Sequence, residues 1–262
     1  MPAIDTGSIS LFYREAGSAG QPVLLLHELG GSAASWSSVM PLMAPRRRVV
    51  AVDLRGAGLS EKPPGPFGLE QLADDLAAFL SALGIVQVDV VGGALGSLVG
   101  ALLTLRHPSR VRRLMMAAVA ADMAGRTADY LAQRAEWVRR SGMRAAVDAS
   151  LANAFPEAHA AARLSYRAIY LGNDPNAYAE MSLALARMPK LDWATIGVPT
   201  LVASGNHDFI WPPDLGRAVA QCIPGARFSE LADAGHFPHL QTPKVLVDIA
   251  LAFFDATDPL PA

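Results

Sequence analysis

Three short segments carry the residue types from which a site for chemistry on small molecules can be assembled. The first is Gly92-Gly93-Ala94-Leu95-Gly96-Ser97, set between an apolar run and a helical pattern. A strand that turns this sharply into a helix crowds two backbones, and glycines on either side of one central residue relieve the crowding. Residue 94 is then held at a helix N-terminus, where the N–H of Leu95 faces whatever sits above it. Serine is the residue expected at such a centre. Alanine stands there, and a methyl group cannot attack a carbonyl. The second segment, Ser204-Gly205-Asn206-His207-Asp208, brings Asp208 to a strand's end, where a carboxylate can orient an imidazole. The third, Ala234-Gly235-His236-Phe237-Pro238-His239, supplies that imidazole in His236.

Parallel sheets present reactive groups at the carboxyl ends of their strands, and the chain reads as alternating strands and helices. Short apolar runs at Val23–His27 and Val49–Leu54 suit strands buried on both faces, as do Val88–Val91 and Leu114–Val119. Leu69–Leu83 carries apolar residues at 72, 76, 79, 80 and 83, one face of a helix stopped by Gly84. Leu95–Arg106 is the next helix, closed by His107-Pro108. From about Asp122 to Lys190 the β-branched runs vanish and helix-length segments follow one another. After Val198-Pro199 the alternation resumes with a strand at Thr200–Ser204, a helix at Asp214–Cys222, a strand at Arg227–Leu231 and a helix at Lys244–Asp255. The expectation is an α/β fold: a doubly wound, mostly parallel sheet of residues 1–121 and 191–262, with a helical cap of 122–190.

Composition narrows the function classes. At 52% hydrophobic and 18% charged, the 262 residues have the balance of a packed domain rather than a disordered chain. A net charge of −2 provides no global field for nucleic acid or an anionic membrane, and the basic run Arg46–Arg48 reads as a solvated loop. The single cysteine, Cys222, excludes an intrachain disulfide and a cysteine-based zinc site, and it reads as packing. No secretory signal or membrane-length apolar run is visible, so a cytoplasmic protein acting on a small molecule is expected. No metal or organic cofactor is implied, and the oligomeric state is left open.

The chain order of glycine-framed turn, acid and histidine is that of the α/β-hydrolases, which the sequence resembles over its whole length. His27-Glu28-Leu29-Gly30-Gly31 with Trp36, and Asp53-Leu54-Arg55-Gly56-Ala57-Gly58-Leu59-Ser60, support the resemblance. Within that superfamily, the segments 134–143 and 173–178 resemble the cap of 3-oxoadipate enol-lactonase-like enzymes, which open small carboxylated lactones in aromatic catabolism. The resemblance implies that Ala94, Asp208 and His236 occupy the three catalytic positions. It also implies an oxyanion hole from the N–H groups of Leu29 and Leu95. Glu28, Met123, Tyr130 and Trp137 are candidates to touch substrate.

Two departures stand in the motif set. Superfamily members usually have His-Gly where this chain has His27-Glu28, and a carboxylate about 4 Å from an oxyanion would repel it by about 4 kcal/mol at an effective dielectric near 20. Glu28 must therefore turn away, be neutralised or serve different chemistry. For Ala94 three readings stand: a deliberate replacement of serine, a natural site where His236 activates water or a substrate proton without a covalent step, or a binding site without turnover. Hydrolysis of a small ester, lactone or C–C bond in a carboxylated metabolite leads; a lyase or dioxygenase type of reaction and a ligand-binding pseudo-enzyme are the alternatives. Ser97 is read as helix packing rather than a relocated nucleophile. His27 and Arg55 are read as braces of their loops, His207 and His239 as loop residues, His107 as a helix end, and Trp36 as packing. The enol-lactonase cap commonly carries Arg-Trp-Phe where Asn153-Ala154-Phe155 stands, so no cation for a substrate carboxylate is evident.

Overall fold

A computed structural model describes residues 3–123 and 125–256. These form an eight-stranded sheet. Its strands are β1 (Ala3–Asp5), β2 (Ser10–Ala16), β3 (Val23–Leu26), β4 (Val49–Val52), β5 (Val88–Gly93), β6 (Val111–Ala117), β7 (Thr200–Gly205) and β8 (Arg227–Leu231). The order across the sheet is β1-β2-β4-β3-β5-β6-β7-β8. β2 runs antiparallel to β1 and β4, and every pairing from β4 to β8 is parallel. The helices are α1 (Met40–Met43), α2 (Leu69–Ala82), α3 (Leu95–Arg106), α4 (Arg126–Ser141), α5 (Met143–Leu151), α6 (Ala160–Leu171), α7 (Pro175–Ala186), α8 (Pro213–Cys222), α9 (Pro238–Gln241) and α10 (Pro243–Asp255).

The central strands read Val-Leu-Leu-Leu and Val-Val-Ala-Val because both faces of the sheet are covered, and every residue of β3 and β4 is buried. One apolar layer packs α2, α3 and α8 against the sheet; the other packs α1 and α10 on the opposite face. From β3 the chain steps outward to β4, then crosses back over β3 to β5. The direction of winding reverses there, so the carboxyl ends of β3 and β5 splay their outgoing loops apart and open a crevice. Leu29 follows β3, and Ala94 and Leu95 follow β5, at that crevice.

The expected fold class holds, and the ends of elements move by a few residues. β1, α1 and α9 have no counterpart in the sequence reading, because three or four residues are too short to display a period. The helices α4 to α7 lie in the chain between β6 and β7, and α4 packs along α7. Among the described residues, no helix is long and apolar enough to cross a membrane.

Candidate active site

The turn after β5 is built by contacts that leave no room for side chains. A Cβ at Gly92 would collide with the carbonyl of Gly96, and one at Gly96 with the carbonyl of Leu26. Ala94 takes φ 48° and ψ −109°, a left-handed conformation that a non-glycine residue occupies only under constraint. The constraint is visible on both sides of it. The Ala94 N–H donates to the Ala117 carbonyl of β6 at 2.8 Å, and its carbonyl accepts from the Ser97 N–H at 2.9 Å. The Ser97 hydroxyl donates to the carbonyls of Gly92 (2.8 Å) and Ala117 (3.1 Å) and is fully buried, so it braces the turn and cannot reach a ligand.

Asp208 and His236 come together at the ends of β7 and β8. The Asp208 Oδ1 accepts the N–H groups of Ile210 (2.9 Å) and Trp211 (2.8 Å), and its Oδ2 lies 2.8 Å from His236 Nδ1. A carboxylate held at three points is a fixed acceptor. It keeps the proton on Nδ1 and leaves Nε2 with its lone pair. His236 is 6% exposed, flanked by Trp211 edge-on and by Phe237.

Ala94, Leu95, Leu29 and His236 line one cavity of about 480 Å³. Leu95 is the first residue of α3, so its N–H has no acceptor within the helix. The Glu28 carbonyl accepts from the Gly31 N–H (2.9 Å) and lies 2.8 Å from His27 Nδ1. Because a trans peptide sets N–H opposite C=O, the Leu29 N–H points away from that pair. The Tyr166 hydroxyl donates to the Leu29 carbonyl at 3.0 Å and holds the next peptide as well.

Glu28 is not at the cavity, which corrects its candidacy for substrate contact. Its carboxylate is fully buried: Oε1 accepts the Ser35 hydroxyl at 2.7 Å, and Oε2 lies 2.8 Å from His239 Nε2. Burial alone would raise its pKa, but the charge and hydrogen bond of His239, with a further contribution from His27, hold it below the ordinary carboxylate value. His239 is correspondingly not a loop residue. It lies on α9, stacks on Trp36 with ring centroids 4.4 Å apart, and packs its ring against Gly93. A Cβ at Gly93 would come within 2.9 Å of it.

Trp137 is a second correction. It lies outside the cavity, in a separate depression of the α4 surface, and is 39% exposed. Met123 is buried and lines the cavity, and Tyr130 borders both that cavity and the outer depression. Cys222 is exposed rather than packed. His27 accepts the Leu54 N–H at 3.0 Å and Arg55 grips Asp75 at 2.7 and 2.8 Å, so both brace the loops beside the crevice.

The cavity wall also contains a cation that the sequence reading lacked, Arg134 of α4. Thr127, Tyr130, Leu131 and Arg134 all line it, the i, i+3, i+4, i+7 face of one helix. That spacing was the available signal; Trp137, three residues beyond Arg134, lies at the edge of the same stripe and outside the cavity. One Arg134 Nη donates to the Tyr170 hydroxyl at 3.2 Å, and that hydroxyl lies 2.9 Å from Ser150 Oγ. The guanidinium also lies near the rings of Tyr178 (5.3 Å), Tyr130 and Tyr170 (5.9 Å each). Burial acts to lower its pKa, but the tyrosines, Tyr178 foremost, raise it above the ordinary arginine value, so it is charged.

Residues 21–243 match the family described as the alpha/beta hydrolase fold. A protein of Azorhizobium caulinodans, provisionally named the carbamate hydrolase RutD, is 30% identical over 98% of this chain and the whole of its own. The 2-hydroxy-6-oxo-2,4-heptadienoate hydrolase of Pseudomonas putida is 28% identical over 92% of this chain and 91% of its own. The crystal structure of the enol-lactonase from Burkholderia xenovorans superposes with a TM-score of 0.91 at 30% identity, covering 97% of this chain and all of that one. Glycine-framed turn, acid and histidine stand in the order this architecture uses, on strands in its topology, and the chain belongs to the α/β-hydrolase fold family.

Proposed function

We propose that the protein hydrolyses a small ester, lactone or C–C bond in a carboxylated metabolite, with water in place of an enzyme hydroxyl as the nucleophile. The observation that carries this reading is the buried Asp208–His236 pair facing the same cavity as Ala94. A base oriented this fully has a use without a serine. In this reading His236 Nε2 takes a proton from water as the water oxygen bonds to the substrate's carbonyl carbon. The N–H groups of Leu29 and Leu95 take up the oxyanion, and the imidazolium returns its proton to the leaving atom as the bond to it breaks. Helices of 122–190 serve as the cap that closes the site from water. The likeness to an enol-lactonase and to a 2-hydroxy-6-oxo-2,4-heptadienoate hydrolase supports hydrolysis of a carboxylated substrate.

The setting of Glu28 favours alanine as the natural residue. Glu28, Ser35 and His239 come from three segments and form one buried polar cluster whose histidine touches the turn at Gly93. A replacement confined to residue 94 would not account for them. A second reading, proton abstraction by His236 from an acidic substrate C–H or O–H without hydrolysis, is favoured by the apolar floor that the Ala94 methyl gives the cavity. The test is His236→Ala with a panel of activated esters and lactones. Turnover should fall 10²–10⁴-fold, the range of general base catalysis. Activity within a few-fold of the parent would overturn the reading. Hydrolysis should also proceed with neither a burst phase nor an adduct to a fluorophosphonate probe. A stoichiometric adduct on Ser97 would revive that hydroxyl as a nucleophile.

A further inference from the structure

Arg134 is built as a receptor rather than as a partner in an internal ion pair. It lines the cavity, and no carboxylate is among the groups that act on its charge among the described residues. Of the five N–H donors of a guanidinium, the Nη bond to Tyr170 engages one, and Nε is buried with no hydrogen-bond partner. A buried donor left unpaired in the free protein is costly, and it marks a place where an acceptor belongs. The hydroxyls of Tyr170 and Ser150, 2.9 Å apart, stand beside the guanidinium; one proton lies in the bond between them, and the other can be donated to the same acceptor. Around this polar spot the lining is apolar and aromatic, with Leu131, Tyr166, Trp211 and Phe237. An anion with an apolar body fits such a wall, and a planar two-oxygen anion matches the fork of a guanidinium.

We infer that Arg134, with Tyr170 and Ser150, is the binding site for the substrate's carboxylate, and that it selects small monocarboxylates with an apolar or aromatic body over their neutral counterparts. This rests on the proposed reading of the cavity as the active site, and it places the acid group on the wall formed by α4, α5 and α6 while the reacting bond meets His236. It also supplies the cation that the 153–155 segment lacks.

Binding tests it apart from turnover. Benzoate, 3-phenylpropanoate and hexanoate, each beside its carboxamide, are titrated into the protein by calorimetry, with Trp211 fluorescence as a second readout. At least one acid should bind saturably and at least tenfold more tightly than its amide, with affinity falling as salt is added. Arg134→Gln should remove that preference by weakening the acid while leaving the amide within threefold. Arg134→Lys, which keeps the charge and loses the fork, should retain part of it. Equal binding of acid and amide by the parent, a preference that survives Arg134→Gln, or no saturable binding by any acid would overturn the assignment. Should the arginine variants fail to fold, Tyr170→Phe and Ser150→Ala carry the same test: each should lower the acid preference several-fold, and an unchanged preference in both would overturn it. His236→Ala separates the two claims. Acid preference retained with turnover lost supports both; turnover retained removes the catalytic reading and leaves the carboxylate site standing.

Discussion

Ala94 holds a left-handed backbone conformation that costs of the order of 1–3 kcal/mol, although it has no hydroxyl to present. The surrounding hydrogen bonds and glycine contacts keep the turn in the shape a nucleophile would need. Ala94→Ser is therefore expected to give ester hydrolysis a burst equal to the enzyme concentration, which the parent lacks, and labelling of residue 94 by a fluorophosphonate probe. A serine that stays unlabelled would show that His236 Nε2 does not reach this position. Because Ser35 and His239 hold the Glu28 carboxylate away from the cavity, adding Glu28→Gly should bring no further gain; a gain over serine alone would place that carboxylate at the reacting atom. Glu28 also sets an acid limit on stability. Its folded pKa lies below the ordinary value of 4.5, so protonation favours the unfolded chain. Its contribution is full above 4.5 and is lost as the pH falls through the lower folded value. Glu28→Gln should flatten stability against pH below about 5, read as denaturant midpoints between pH 6 and 3; an unchanged slope would refute this.

At the scale of elements, the seam between β5, α3 and the end of β3 is where a single methyl matters most. A Cβ on Gly96 meets the Leu26 carbonyl, which is backbone and cannot turn aside, whereas one on Gly100 meets the side chains of Val90 (3.1 Å) and Leu114 (3.2 Å). Overpacking of a well-filled core costs about 1–3 kcal/mol. Gly96→Ala is expected at the top of that range or above it, with the turn after β5 distorted and turnover lost. Gly100→Ala, one turn further along the helix, should cost less, because rotamers can give and alanine favours a helix. Thermal melts of the two variants compare them directly, and equal losses would contradict the backbone argument.

For the whole molecule, the helices of 122–190 and the sheet are joined by polar links as well as by apolar contact. Tyr166 binds the Leu29 carbonyl, Asn173 the Gly30 carbonyl at 2.8 Å, and Gln241 the Ala154 carbonyl at 2.7 Å. These links tie both sides of the cavity to the loops that follow β3 and β8. Cap and core are thus expected to unfold together, with coincident denaturant transitions by circular dichroism and by tryptophan fluorescence, since Trp137 reports on one side and Trp36 and Trp193 on the other. A separate early transition would mean that the cap opens on its own.

The sequence by itself determined the alternation of elements, the sheet's buried strands and the order of Ala94, Asp208 and His236, because these are written locally. Two-sided burial shows as unbroken apolar runs, and a sharp strand-to-helix turn shows as glycines at fixed spacing. The destinations of Glu28, His239, Arg134 and Trp137 were decided only in three dimensions. Glu28 and His239 are 211 residues apart and find each other because α9 packs beside the turn after β5. Arg134 lines the cavity as well as the outer depression, while Trp137, about 4.5 Å further along the same side of the helix, lines the depression alone, and where along that wall each side chain falls is set by the packing of α4 on α7.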